Sequence, residues 1–303
     1  MSDCLTGVGF GICKRKKKHR IFHCLGELQI YTQTLFCYTE NMLKIIISPA
    51  KKMNISDEYS CQLTVPVFQE KAWQLRRALH GLSFEQLKKL WGCSEKLAVQ
   101  NYERLHACEP GKKLTPALLA YEGIQYQYMA PHIFSESQWK YAEVHLRILS
   151  GFYGVLHPAD GVIPYRLEMQ AKLTSFHEAF GSVNSLYEYW GDSIYRNLVS
   201  ETCGHQSPLQ IVNLASGEYS RSVLPYIAPP VTQVSCIFGE RDGVKVKVKG
   251  TLAKMARGEM VRWMAEEQIE DIRRLREFSR LNYRFQEDLS SDMEYVFVGD
   301  GVK

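Results

Sequence analysis

Residues 146–169 read LRILSGFYGVLHPADGVIPYRLEM, and the fold turns on how this stretch is read. Upstream, Ser135 and Gln138 stand at the S-x-x-Q spacing of a capping box. That spacing predicts a helix that starts after Ser135 and runs through Trp139, Ala142, Leu146 and Leu149. Gly151 stops it, and Gly154 follows three residues later, so residues 151–154 read as a hairpin into a short apolar helix that Pro158 ends. Free backbone N–H groups at such a helix start can hold a phosphate without reading any base. The same two glycines also fit a plain connector that lets neighbouring elements approach. Beyond the hairpin, Tyr165, Leu167 and Met169 alternate with Arg166 and Glu168, which puts cation and carboxylate on one face of an extended segment. Lys172 continues that mixed-charge patch.

Working outward, residues 43–47 form an apolar run that reads as a buried strand ending at Ser48-Pro49. Lys51 emerges just past its carboxyl end, the edge at which open α/β sheets bind ligands. Helical periodicity covers 67–79, a second capping box (Ser83, Gln86) opens the next helix, and Ser94 caps a third. Together they read as a helical layer with charged outer faces. Residues 117–121 read as a strand leading to Gly123. Tyr126, Tyr128 and Trp139 fit either core aromatics or a stacking surface for bases. Asn184 is placed as the cap of a helix through Leu186, Trp190, Ile194 and Leu198. Residues 209–214 read as another strand, followed by Ser216 and a short helix carrying Glu218 and Tyr219. If the two serine-ended strands are neighbours, Ser48, Lys51, Asn213, Ser216 and Glu218 share one cleft.

Residues 231–238 and 244–248 flank the turn 239–243 and read as a hairpin with a lysine-lined edge. A helix follows from about residue 251. At ~100° per residue it gathers Lys254, Arg257, Gly258 and Arg262 on one arc, open to phosphate or to a neighbouring helix. Residues 269–281 continue as a helix with a solvated charged face, and 283–285 and 295–298 read as closing strands.

The formal charge of +4 is concentrated at the start of the chain. Residues 1–41 hold six basic and three acidic side chains, which leaves 31 basic and 30 acidic groups over 42–303. Overall pI is therefore no argument for nucleic acid, and any such role must rest on local clustering. Residues 1–41 lack the apolar segment and small-residue cleavage site of a targeting peptide and are expected to be a disordered extension, with 42–303 a single domain. No apolar run approaches the ~20 residues of a membrane span. Nine cysteines without a C-x-x-C pair argue for reduced thiols rather than a disulfide framework or a metal cluster.

The run LSGFYGVLHPADGVIPYRLEM, with ISPAK at 47–51, NLAS and EY within 213–219, AKMARGEMVR at 253–262 and NYRF at 282–285, resembles the YaaA family in five ordered motifs. Where family members carry GDVY, this chain has Gly123-Ile124-Gln125-Tyr126. The resemblance implies a mixed α/β (α+β) fold, a mixed sheet with surrounding helices and an embedded helix–hairpin–helix element. It also implies a cytoplasmic peroxide-stress protein linked to lowering free iron. The expected partner is duplex or damage-distorted DNA held through phosphates by Gly151, Gly154, Arg166, Lys172, Lys254, Arg257 and Arg262, with no cofactor. The alternative is an enzyme on a small phosphorylated or nucleotide-like molecule, with Arg166, Glu168 and Glu218 as anion clamp and acid or base. Direct iron binding is the weakest option, because the histidines show no paired ligand spacing.

Overall fold

The computed structural model describes residues 42–109, 111–202, 208–242 and 245–299, all within one unit, Asn41–Lys303. The expected extension 1–41 lies outside the described residues, as do Cys203, His205 and Val244. The first strand, β1 (Leu43–Ile47), is buried along its whole length, as a continuous apolar run should be when a sheet is covered on both faces. Three helices follow: α1 (Gln69–His80), α2 (Phe84–Trp91) and α3 (Glu95–Ala107). Both halves of the Ser83/Gln86 capping box form, and Ser94 is the N-cap of α3 although its side chain accepts no capping hydrogen bond. Then come α4 (Ile124–Met129) and α5 (Glu136–His145), the latter with its Ser135/Gln138 box complete.

At Leu146 the chain departs from expectation. Residues 146–150 are a strand, β2 (Leu146–Ser150), and after a turn β3 (Gly154–Leu156) pairs back on it antiparallel. The segment expected as helix–hairpin–helix is thus strand–turn–strand. The physical reason is tertiary: β2 lies in parallel register against β1, and every residue of it is buried in the sheet. Residues 117–121 also differ, forming one helical turn (Ala117–Ala120) before a short strand, Tyr121–Glu122.

The chain continues with α6 (Ser193–Ser200), β4 (Gln210–Leu214), β5 (Thr232–Asp242), β6 (Lys245–Lys247), α7 (Gly250–Glu266), β7 (Tyr283–Phe285) and β8 (Glu294–Gly299). The helix expected through Leu186 and Leu198 is two, Leu186–Trp190 and α6, with Ser185 rather than Asn184 as the first cap. Residues 272–277 form a 3-10 helix. The sheet runs β7-β8-β5-β4-β1-β2-β3, with β6 paired to β5. β8, β5, β4, β1 and β2 are mutually parallel, and β3, β6 and β7 are antiparallel to their neighbours. The expected mixed α/β architecture therefore stands, and serine-ended β1 and β4 are direct neighbours. Among the described residues no helix is long and apolar enough to cross a membrane.

At the amino ends of the parallel strands a buried charge cluster is centred on Glu201. Glu201 receives a bidentate hydrogen bond from Arg147 (Nε at 2.9 Å, Nη2 at 2.5 Å to Oε2), an ion pair from Lys44 at 3.1 Å and a contact with His157 at 3.0 Å. Burial raises the Glu201 pKa, but the hydrogen bonds from His157 and Arg147 and the charges of Arg147 and Lys44 outweigh it and hold the carboxyl well below the usual range. A depressed carboxylate contributes stability above its unfolded pKa of about 4.3 that is lost as pH falls through the folded value. Glu201→Gln should therefore destabilise the protein by about 3–5 kcal/mol near neutrality, because it strands two buried cations. Urea unfolding measured against pH should also show the variant without the acid-side loss that this carboxylate gives the parent.

Candidate functional site

The carboxyl edge of the parallel sheet is built by short contacts between distant segments. Ser48 Oγ, past the end of β1, accepts a hydrogen bond from the Ser216 backbone N–H at 2.8 Å and lies 3.2 Å from Ser216 Oγ. Asn213 fixes the neighbouring turn: its Oδ1 accepts from the Ala215 N–H at 3.0 Å, and its Nδ2 donates to Ser235 Oγ at 3.0 Å. Both of these groups hold strand ends together, since their polar atoms are already engaged with protein. The expected adjacency of Ser48, Asn213 and Ser216 is thus present.

The PYRLEM segment crosses this edge as an extended strap. Gly151 allows it: a Cβ there would lie 2.5 Å from the Leu167 carbonyl oxygen and 3.0 Å from backbone atoms of Glu168 and Met169. Gly154 has φ +76°, open to glycine, and a Cβ would lie 2.9 Å from the Trp190 ring. The amides of this turn are engaged internally. Phe152 and Tyr153 N–H both donate to Ser150 Oγ, at 3.1 and 2.8 Å, and residues 151–154 are buried. Gly151 and Gly154 act here as close-approach residues, in keeping with the connector reading. Tyr165 Oη, within hydrogen-bond distance of Ser150 Oγ (2.7 Å) and Tyr121 Oη (2.8 Å), pins the strap from beneath. Burial pushes the Tyr165 hydroxyl up to about 12, so it stays neutral across the physiological range. Tyr126 is core as well, donating to the Ser48 carbonyl at 3.0 Å.

Above the strap the charges gather. Glu168 is within 3.0 Å of both Arg166 Nη2 and Lys51 Nζ. Glu218 accepts from the Gln170 N–H at 3.3 Å. Its pKa is raised, first by burial and then by the nearby Glu168 charge, against the opposing pull of the Gln170 hydrogen bond and Lys51. Lys51, Arg166, Glu168 and Lys172 line one cleft of about 490 Å³, together with Lys89 and Trp91 at the end of α2, Gly92 that caps it, and Phe176. Sequence reasoning missed the last four. The helices that carry Lys89, Trp91 and Gly92 read only as a charged-faced layer, and nothing local in 84–107 marks a partner some eighty residues on.

The three cations of α7 lie elsewhere. Lys254 is exposed, Arg262 is paired with Glu266 at 2.8 Å, and Arg257 is largely buried near Cys236, its Nε without a partner. None of them lines the cleft. Gly258 sits against α4, where a Cβ would lie 2.0 Å from the Gln125 carbonyl oxygen, so it serves helix packing. Cys61, Cys93, Cys108 and Cys236 are free thiols. Among the described residues no three His, Cys, Asp or Glu side chains are placed to hold a metal ion.

These features define an α/β protein with a cation-lined cleft between the carboxyl edge of a mostly parallel sheet and a helical layer. A family model described as peroxide stress protein YaaA matches residues 43–289. UPF0246 proteins are similar over 84% of this chain: that of Desulfitobacterium hafniense is 50% identical over 258 residues, that of Agathobacter rectalis 48% over 255, each across 98% of the relative's length. The UPF0246 protein of Pediococcus pentosaceus is 46% identical over 256 residues. The chain belongs to the YaaA family of peroxide stress proteins.

Because the atoms that a Gly151 side chain would strike are backbone atoms, no rotamer change relieves the clash. Gly151→Ala should lower stability by about 1–3 kcal/mol or more. It should also shift the amide resonances of 165–170 in a heteronuclear NMR spectrum, whereas an equally destabilising substitution far from the strap should leave them in place.

Proposed function

We propose that this YaaA-family protein serves the peroxide-stress response by binding duplex DNA, intact or distorted by damage, through phosphate contacts. On this reading, covering the backbone limits the harm that peroxide does with free iron, and the protein's link to iron is indirect. The observation that carries it is the cleft: four cationic side chains, Lys51, Lys89, Arg166 and Lys172, against the single carboxylate of Glu168. Such local clustering is what an otherwise nearly neutral domain needs for nucleic-acid contact.

Two helices joined by a tight glycine turn stand at its rim. Gly92, at φ +53°, ends α2, and α3 begins three residues later, at Glu95, behind a Ser94 side chain that accepts no capping hydrogen bond. A helix–hairpin–helix contact to a phosphodiester backbone belongs here in our reading, some sixty residues before the glycine turn first considered for it. Lys89 and Lys96 are exposed on these helices, while Lys88 is paired with Glu95. No base-reading set of Arg, Asn and Gln accompanies the hairpin, so recognition is independent of sequence. An enzymatic reading is favoured only by Glu218, whose raised pKa suits proton transfer beside an anion clamp.

Fluorescence anisotropy with unrelated duplexes over a salt series tests the proposal. Affinity should be similar for all sequences and fall steeply with salt. Lys51→Ala, Lys89→Ala and Lys172→Ala should each flatten the log–log salt slope by about 0.9. Binding that ignores salt, or that survives loss of all three lysines, defeats it.

A further inference from the structure

The cleft has a charge excess and a donor set that a continuous strand does not need. Residues 89–92 and 170–176 both line it, and residues 174–176 also border a neighbouring groove of about 740 Å³ along α1. A phosphate within a strand has chain leaving it in two directions, whereas a phosphate at an end has chain on one side only and presents more free oxygens to the protein.

The charges favour the end group as well. Lys51 and Arg166 share Glu168, whereas Lys89 and Lys172 make no salt bridge among the described residues. The cleft thus keeps a large positive excess after its own carboxylate is counted. A phosphodiester brings one negative charge, and a phosphate monoester about −1.5 to −2 with three terminal oxygens.

Donors stand ready at the base. The Arg166 side chain is only 9% exposed, yet of its five N–H donors one makes a hydrogen bond among the described residues, Nη2 to Glu168, and its Nε has no partner. Trp91, 6% exposed, lines the same cleft with its indole N–H unpaired. A buried guanidinium left so unsatisfied is costly unless an acceptor completes it. The void that Arg166 and Trp91 also line holds only about 10 Å³, roughly one water, and has no room for a larger acceptor. Leu90, Trp91, Ala171 and Phe176 add apolar wall for whatever the phosphate is attached to.

We infer that the cleft is a socket for a terminal phosphate monoester, carried either by the end of a nucleic-acid strand or by a free nucleotide. The inference rests on the anion-binding reading of this cleft and names its guest. Arg166 supplies the fork to two phosphate oxygens, and Lys51, Lys89 and Lys172 neutralise the second charge from the rim.

The full-length protein should be titrated with one duplex bearing either 5′-phosphate or 5′-hydroxyl ends, and separately with adenosine monophosphate and inorganic phosphate. The phosphorylated duplex should bind about tenfold more tightly than its hydroxyl counterpart. That preference should vanish in Arg166→Lys, which keeps the charge and loses the fork. It should shrink in Lys172→Ala, an exposed position whose change leaves the fold intact even if the Arg166 variant does not fold. Equal affinity for both ends overturns the socket and leaves duplex binding standing. Saturable binding of adenosine monophosphate, with no binding of either duplex, supports the socket with a free nucleotide as its guest and overturns the DNA reading. Failure of all four probes overturns both.

Discussion

The cleft depends on residue 151 having no side chain. The PYRLEM strap must lie almost in contact with the end of β2 for Arg166 and Glu168 to reach Lys51, and the 2.5 Å that would separate a Cβ from the Leu167 oxygen leaves room for nothing larger than hydrogen. Around this approach the polar groups are satisfied internally. Trp190 donates its indole N–H to the Gly151 carbonyl at 3.0 Å, Ser150 accepts from the next two amides, and Tyr165 joins Ser150 to Tyr121. Each of these is worth only about 1 kcal/mol net. Left unmade in a buried site, each would cost more, and that asymmetry fixes the strap to one position.

The two ends of the parallel strands treat charge in opposite ways. At the amino ends, Lys44 and Arg147 are almost wholly buried and share Glu201, so their charges are closed off from solvent. At the carboxyl ends, Lys51 and Arg166 share Glu168, but two further lysines border the same concavity without a carboxylate. The first arrangement stabilises the fold. The second leaves an excess of positive charge beside unpaired donors, and the proposed anion site rests on that difference. Ser48, Asn213 and Ser216 belong with the scaffold, because their hydrogen bonds are spent joining β1, β4 and β5.

Much of the sheet was legible in the chain because burial on both faces writes itself as uninterrupted apolar runs, as at 43–47 and 209–214. The two capping boxes were legible because their chemistry lies within four residues. The stretch at 146–150 was not. Trp139, Ala142, Leu146 and Leu149 satisfy a helical period, yet His145 ends the helix, and the strand after it is decided by β1, about a hundred residues away in sequence. The strap was read with the right residues on one face, since Arg166 and Glu168 do pair. Its opposing wall was not, because Lys89, Trp91 and Gly92 meet it only through the packing of a separate helical layer.

The same blindness explains α7. A helical projection places Lys254, Arg257, Gly258 and Arg262 on one arc, and composition alone makes that arc resemble a phosphate-facing surface. The structure gives its members separate duties. Gly258 lets the helix press onto α4, Arg262 and Arg280 divide Glu266 between them, and Arg257 turns inward towards β5. Cations on a helix face therefore indicate a ligand only when carboxylates do not already claim them and when they border a concavity. By that criterion Lys89 and Lys172 qualify, and with Lys51 and Arg166, which share Glu168, they border one concavity from three segments that only the folded sheet and its helical layer bring together.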